Sequence, residues 1–129
     1  MAHYALLNSA NVVFSVIGGK DETDVSENWE EYYGNFHNCT VKRTSYNTLK
    51  NSHSLGGVAF RGNYAGIDYT YYEDVNYFMP PKPYNSWSMS TADATWIAPS
   101  AMPTDGNPYS WDEDNQTWID ISGSSAGGV

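Results

Sequence analysis

Three stretches of the C-terminal half repeat one twelve-residue pattern: YTYYEDVNYFMP from Tyr69, WSMSTADATWIA from Trp87 and YSWDEDNQTWID from Tyr109. Each opens on an aromatic residue (Tyr69, Trp87, Tyr109). A large apolar residue follows two places on (Tyr71, Met89, Trp111), and another aromatic stands nine places after the opening (Phe78, Trp96, Trp118). Polar and acidic residues fill the middle. Alternate residues of a strand share a face, so the pattern reads as a strand, a four-residue turn such as Glu113 to Gln116, and a returning strand. In that register Trp111 stands opposite Trp118, Tyr71 opposite Phe78 and Met89 opposite Trp96. Each cross-strand aromatic pair contributes roughly 0.2–1 kcal/mol. An isolated hairpin is marginal in water, so each copy must lay its aromatic face on something else.

The linkers between copies, MPPKPYNS and PSAMPTDGNP, are rich in proline, which blocks ladder pairing and stiffens the chain. The expected architecture is therefore α+β and mostly β. A small body of hairpin and short helix occupies residues 1–63, an elongated arm of three hairpins residues 64–122, and a flexible Gly/Ser tail, GSSAGGV, residues 123–129.

Within the body, HYALL and VVFSVI flank the turn-rich NSAN and predict a first hairpin. The period then changes. Val25, Trp29, Tyr32, Tyr33 and Phe36 recur at helical spacing. Asp24 and Glu27 fit a capping box and Gly34 a stop, which predicts a helix over residues 25–33 packed on the first strands by its aromatic stripe. CTVKRTSYNT, residues 39–48, reads as a strand. Residues 49–69 are glycine-rich and expected to be ordered by what they touch.

Charge and composition exclude several functions. The 129-residue chain carries 15 acidic against 6 basic residues, a formal charge of -9. Nucleic-acid binding needs clustered Lys and Arg, and anionic membrane is equally disfavoured. No apolar stretch has the length of a bilayer span, so membrane insertion is not expected. The N-terminus lacks the basic leader of a secretory signal. One cysteine, Cys39, permits neither an intrachain disulfide nor a cysteine-rich zinc motif. Tyr at 11, Trp at 5 and Phe at 4 residues suit small sheets and interfaces better than a helical bundle.

Candidate sites divide between chemistry and packing. Asp112, Glu113, Asp114 and Asn115 offer oxygens, but the mid-loop glycine and terminal glutamate of a calcium loop are missing, and a structural turn is the better reading. His3, His37 and His53 follow no metal spacing. His37 and Cys39 share a strand face without a recognisable third group or oxyanion hole. GGVAFRGNYAG, residues 56–66, lacks the spacing of a phosphate loop. No metal, no cofactor and no catalytic residue is expected. Trp and Tyr faces beside Asp and Asn also suit a host-surface glycan, but slight hairpins rich in aromatics favour a protein interface. The expected interface or packing anchors are Tyr64, Tyr71, Phe78, Trp87, Trp96, Trp111 and Trp118.

The segments KRTSYNT, FRGNYAGIDYTY, FMPPKPYNSW, PTDG and YSWDEDNQTWIDI resemble a family of small, uncharacterised proteins of marine tailed phages, especially those of cyanobacteria. The family pattern runs roughly R-K-N-Y-A-G-I-G-Y-T-Y-D, then F-I-P-P-K-P-Y-P-S-W, then Y-x-W-D-E-x-x-x-x-W. The likeness covers residues 41–121. Gly62, Asp68 and Asn85 depart from it, standing where the pattern has Lys, Gly and Pro. The resemblance implies a phage origin and a place in the virion, assembled in the bacterial host cytoplasm. It supplies no residue of assigned role. Together with the interface reading it leads to the expectation of a non-enzymatic virion protein: a capsid decoration, a tail or neck adaptor, or a fibre attachment. Its expected partners are other virion proteins and further copies of itself. A glycan-binding adhesin module and a non-virion effector that binds a host protein are the alternatives.

Overall fold

The computed structural model describes residues 2–123; the remainder of the expected tail, residues 124–129, lies outside the described residues. The chain divides into two compact units, Met1–Pro81 with Thr91–Thr95, and Lys82–Ser90 with Trp96–Val129.

The first unit is built on β1 (Ala2–Leu7), β2 (Val13–Gly19) and β3 (Thr40–Thr44), an antiparallel sheet in the order β2-β1-β3. The β1–β2 turn is set by Asn8, whose side-chain oxygen accepts from the backbone N–H of Ala10 and Val12 at 2.9 and 3.1 Å. The ladder then slips between Leu6 and Leu7, pairing Leu6 with Ser15 and Leu7 with Val13. Phe14 is the extra residue of this bulge and is exposed. The sequence of β1, AHYALL, is apolar at almost every place because both its faces are covered. Ala2, Tyr4 and Leu6 join Val41 on one face; Ala5 and Leu7 join Val13 on the other.

The first of these faces is covered by α1 (Trp29–His37), through Trp29 and Tyr33. The helix begins four residues later than its periodicity predicts. Asp21 and Asp24 fold the chain into local turns, accepting from the backbone N–H of Thr23 and Ser26. Asn28, not Asp24, is the N-cap; its side chain accepts from Glu31 N–H at 3.1 Å. Val25, counted in the expected stripe, lies before the helix and is 88 % exposed; Tyr32 and Phe36 also face solvent. Gly34 is not the stop. The helix runs on to Asn38 in the left-handed conformation, and Gly34 leaves room for the Cys39 carbonyl, which would stand 2.9 Å from an added Cβ.

Residues 45–69 contain a minimal hairpin, β4 (Thr48–Leu49) with β5 (Ser52–His53), and are otherwise irregular. Side-chain hydrogen bonds help to order this stretch. Thr44 Oγ1 accepts from Ala65 N–H at 2.9 Å, and Thr48 Oγ1 from Phe60 N–H at 3.1 Å. The buried amide of Asn63 accepts from Lys50 N–H at 2.8 Å and donates to the Phe78 and Ala94 carbonyls at 2.8 and 3.0 Å. Its neighbour Gly62 holds φ +79, and a Cβ there would meet the Tyr77 ring at 2.8 Å. A side chain at this residue would therefore be both strained and crowded.

All three predicted hairpins form: β6 (Thr70–Tyr72) with β7 (Tyr77–Met79), β8 (Ser88–Ser90) with β9 (Thr95–Ile97), and β10 (Tyr109–Asp112) with β11 (Thr117–Asp120). Tyr71 pairs with Phe78 and Trp111 with Trp118, the register drawn from the aromatic spacing. The turns share a backbone conformation. Asn76, Ala94 and Gln116 occupy the same place in the repeat, and each has a positive φ, of 59, 53 and 51°. The first hairpin lays Tyr71 and Phe78 on Ala5, Leu7 and Val13, covering the second face of the sheet. The boundary that the sequence suggests at residues 63 and 64 therefore falls inside the first compact unit, which runs on to Pro81. The first hairpin belongs with the body.

Asp68 adopts φ +71, in the left-handed region. Its side chain is exposed and its N–H is spent on the Val13 carbonyl, 2.9 Å away. A side chain in this region costs about 1–2 kcal/mol, less for Asp than for most residues. Asp68→Gly is expected to stabilise the protein by roughly 0.5–1 kcal/mol, measured as a rise in Tm; an unchanged or lower Tm would show that the turn carries no such strain.

Candidate functional site

The seven expected anchors fall into distinct environments. In the first unit Tyr71 and Phe78 are core residues, their rings tilted with centroids 5.1 Å apart. Tyr64 is half-buried and makes edge contacts with His3 at 5.8 Å and Tyr46 at 6.3 Å.

In the second unit Trp87, Trp111 and Trp118 form a triangle of edge-to-face contacts, with centroids 5.9, 6.0 and 5.0 Å apart. Tyr84 extends the cluster at 5.6 Å from Trp87. Trp111 is only 7 % exposed. Trp96 is half-buried, with the Lys82 ammonium 5.7 Å from its ring centroid.

Glu113, read from the sequence only as a turn acid, holds the tryptophan cluster to the linker. Its Oε1 accepts from Trp111 Nε1–H at 2.8 Å and from Ser86 Oγ–H at 2.6 Å; its Oε2 accepts from Ser86 N–H at 3.0 Å. These hydrogen bonds, those of Ser86 foremost, hold the carboxyl below its ordinary pKa. Asp112 accepts from the Asn115 side chain at 2.8 Å. The acidic turn is thus engaged in its own hydrogen bonds. Tyr109 donates to Asp105 at 2.7 Å, which pushes its phenol up to about 12. Trp118 donates to the Ser100 carbonyl at 2.9 Å, whereas the buried Nε1 of Trp87 has no hydrogen-bond partner among the described residues.

The histidines and the cysteine are dispersed. His37 and Cys39 line an open cleft of about 630 Å3 with Asn8, Phe14, Asn35 and Asn38. Burial raises the Cys39 thiol above its ordinary pKa despite a hydrogen bond from the Leu7 backbone, so the nucleophilic thiolate is disfavoured. His3 lies among tyrosines and His53 in the glycine-rich stretch. Among the described residues no group of three His, Cys, Asp or Glu side chains is placed to hold a metal ion, and no helix is long and apolar enough to cross a membrane.

A concentrated electrostatic arrangement lies in the first unit, around Arg61 of the glycine-rich stretch. Arg61 Nη1 donates to Glu30 Oε2 at 2.6 Å and to the Arg43 carbonyl at 3.0 Å, and its Nε donates to Asn76 Oδ1 at 3.1 Å. Asn76 Oδ1 also accepts the Tyr71 hydroxyl. Glu30 Oε2 takes a second hydrogen bond from Arg43 N–H at 2.6 Å. The guanidinium lies 4.8 Å from the Phe60 ring centroid and 5.6 Å from that of Tyr71. One side chain thereby joins α1, β3, the glycine-rich stretch and the first hairpin turn.

Burial is the largest single influence on Glu30 and pushes its pKa up. The Arg61 and Arg43 hydrogen bonds, with the Arg61 charge, outweigh it and hold the pKa below the ordinary value. The ionised form is therefore favoured by folding. Its contribution is fully present above the unfolded carboxylate pKa of about 4.3 and is lost as pH falls through the folded value. Breaking a buried pair costs about 3–5 kcal/mol; partial exposure of both groups lowers the expectation for Arg61→Ala to roughly 2–3 kcal/mol. The Tm gap between wild type and Glu30→Gln should be widest near neutrality and close on acidification below about pH 4. A gap independent of pH would show that the ion pair contributes nothing.

Comparison with protein-family models, with curated proteins and with solved structures gives no match.

Proposed function

We propose that this chain is a non-enzymatic structural or accessory protein of a tailed-phage particle, joined to other virion proteins and to further copies of itself by apolar and aromatic contacts. Capsid decoration, tail or neck adaptor and fibre attachment are its candidate places. The phage assignment rests on the resemblance over residues 41–121.

The observation that supports contact-making is internal to the repeat. Met79, Ile97 and Ile119 hold one place in its three copies. Met79 is fully buried, at 0 % exposure, whereas Ile97 is 48 % and Ile119 45 % exposed. The apolar residue type is kept where the chain leaves about half of it uncovered. On β11, Ile119 lies on the face opposite Trp118 and is exposed; Ile121, just past the strand, is exposed as well. An exposed isoleucine on a thin hairpin suits a protein partner.

Burial of Trp111, with its indole N–H taken by Glu113, weighs against the glycan-platform alternative. A host-binding effector differs from a virion protein in where the chain resides.

Two measurements test the proposal. Mass spectrometry of purified particles of the encoding phage is expected to find the chain in multiple copies per particle; its absence would favour an effector. Ile119→Asp is expected to change fold stability by no more than about 0.5 kcal/mol, yet to weaken incorporation or self-association at least about tenfold, equivalent to about 1.4 kcal/mol. Unimpaired assembly would remove this face from the proposal.

A further inference from the structure

We propose that His53 is a proton-operated latch on the loop of residues 54–58. The inference stands apart from the virion reading and rests on hydrogen-bond geometry alone. His53 Nδ1 accepts from the backbone N–H of Leu55 and of Gly57, each at 3.1 Å, and the His53 carbonyl accepts from Gly56 N–H, also at 3.1 Å. Three successive amides thus turn back onto one residue. Gly57 lies close against the imidazole, where an added Cβ would stand 3.1 Å from the ring.

A ring nitrogen that accepts two hydrogen bonds must carry its lone pair, so the proton of the neutral ring is on Nε2. A second proton enters at Nδ1. It turns the acceptor into a donor directed at two other donors, and both hydrogen bonds are lost. The loop has little else to hold it. Ser54 N–H is tied to the Asn47 carbonyl on one side, at 2.7 Å, and Phe60 N–H to Thr48 Oγ1 on the other, at 3.1 Å. Between them stand Leu55, Gly56, Gly57, Val58 and Ala59, with Leu55 79 % and Val58 90 % exposed. The latch therefore sets how two uncovered apolar side chains are presented.

No nearby charge substitutes for the proton in this arrangement. The loop carries no ionisable side chain. Thr48 stands opposite His53 on the small hairpin, Lys50 is at its exposed turn, and Tyr46 lies in the connector before it. Among the described residues no carboxylate ion-pairs with the ring. The device is a local protonation event with a local mechanical readout: closed while the ring is neutral, open once it is charged.

Amide exchange followed by NMR from pH 8 to pH 5 tests it, with the His53 ring proton resonances reporting protonation in the same samples. After correction for the intrinsic pH dependence of exchange, protection of the Leu55 and Gly57 amides is expected to fall together, about tenfold or more, in step with the ring. In His53→Asn the side-chain oxygen takes the place of Nδ1 and does not titrate, so protection should stay level across the range. Wild-type protection that persists after the ring is protonated overturns the proposal. So does an equal loss in His53→Asn, which would mean that another group opens the loop. Should His53→Asn fail to fold, the wild-type titration decides alone.

Discussion

Burial of β1 on both faces is the constraint from which the first unit follows. Five of the six residues of AHYALL supply side chains to two cores at once. A strand covered on one side only would have alternated with polar residues. The demand for two covers explains why a short helix of modest propensity forms at all: Trp29 and Tyr33 close one face. It also explains why the first hairpin is kept near the body: Tyr71 and Phe78 close the other. Arg61 then joins the two covering elements through Glu30 and Asn76, and Asn63 secures the irregular stretch between them. Hydrophobic burial supplies most of the stability, and the polar network fixes which arrangement of the covers is adopted.

Local spacing proved informative where one interaction dominates. The hairpin register was legible because aromatic residues nine apart, around a four-residue turn, leave one pairing that puts both on the same face. The edges of the helix were less legible. Asp24 and Asn28 are each followed three residues later by glutamate, so both satisfy the same capping rule, and only the turn chemistry of Asp21 and Asp24 separates them. The extent of the first unit was hidden for a different reason. Tyr71 and Phe78 look like Trp111 and Trp118 as a pair, yet one pair seals a three-stranded sheet and the other packs against Trp87. A repeat specifies its own turn and register, but its packing partner is supplied by the rest of the chain. The roles of Arg61, Asn63 and Glu113 depend on contacts 15 or more residues away; no local pattern announces them.

The three copies also show how a shared backbone tolerates divergence. The last turn residue is left-handed in each, although only the first copy has asparagine, a residue suited to that conformation; the others have alanine and glutamine. Ala94 is nevertheless buried, with its carbonyl held by Asn63. Tertiary contacts fix that turn, while Gln116 remains exposed. The residues between the strands have likewise taken different duties. Glu113 binds an indole and a serine, whereas its counterpart in the second copy, Thr91, offers its backbone carbonyl to Tyr77 at 2.6 Å.

The distribution of indoles has a practical consequence for spectroscopy. Four of the five tryptophans, Trp87, Trp96, Trp111 and Trp118, belong to the second unit, and three of them touch edge to face. Intrinsic emission is thereby weighted toward that unit, while backbone ellipticity samples the helix and sheet of the first. Melting curves recorded by the two methods would follow different parts of one chain, and their coincidence or separation would reveal whether the two units lose structure in a single cooperative step.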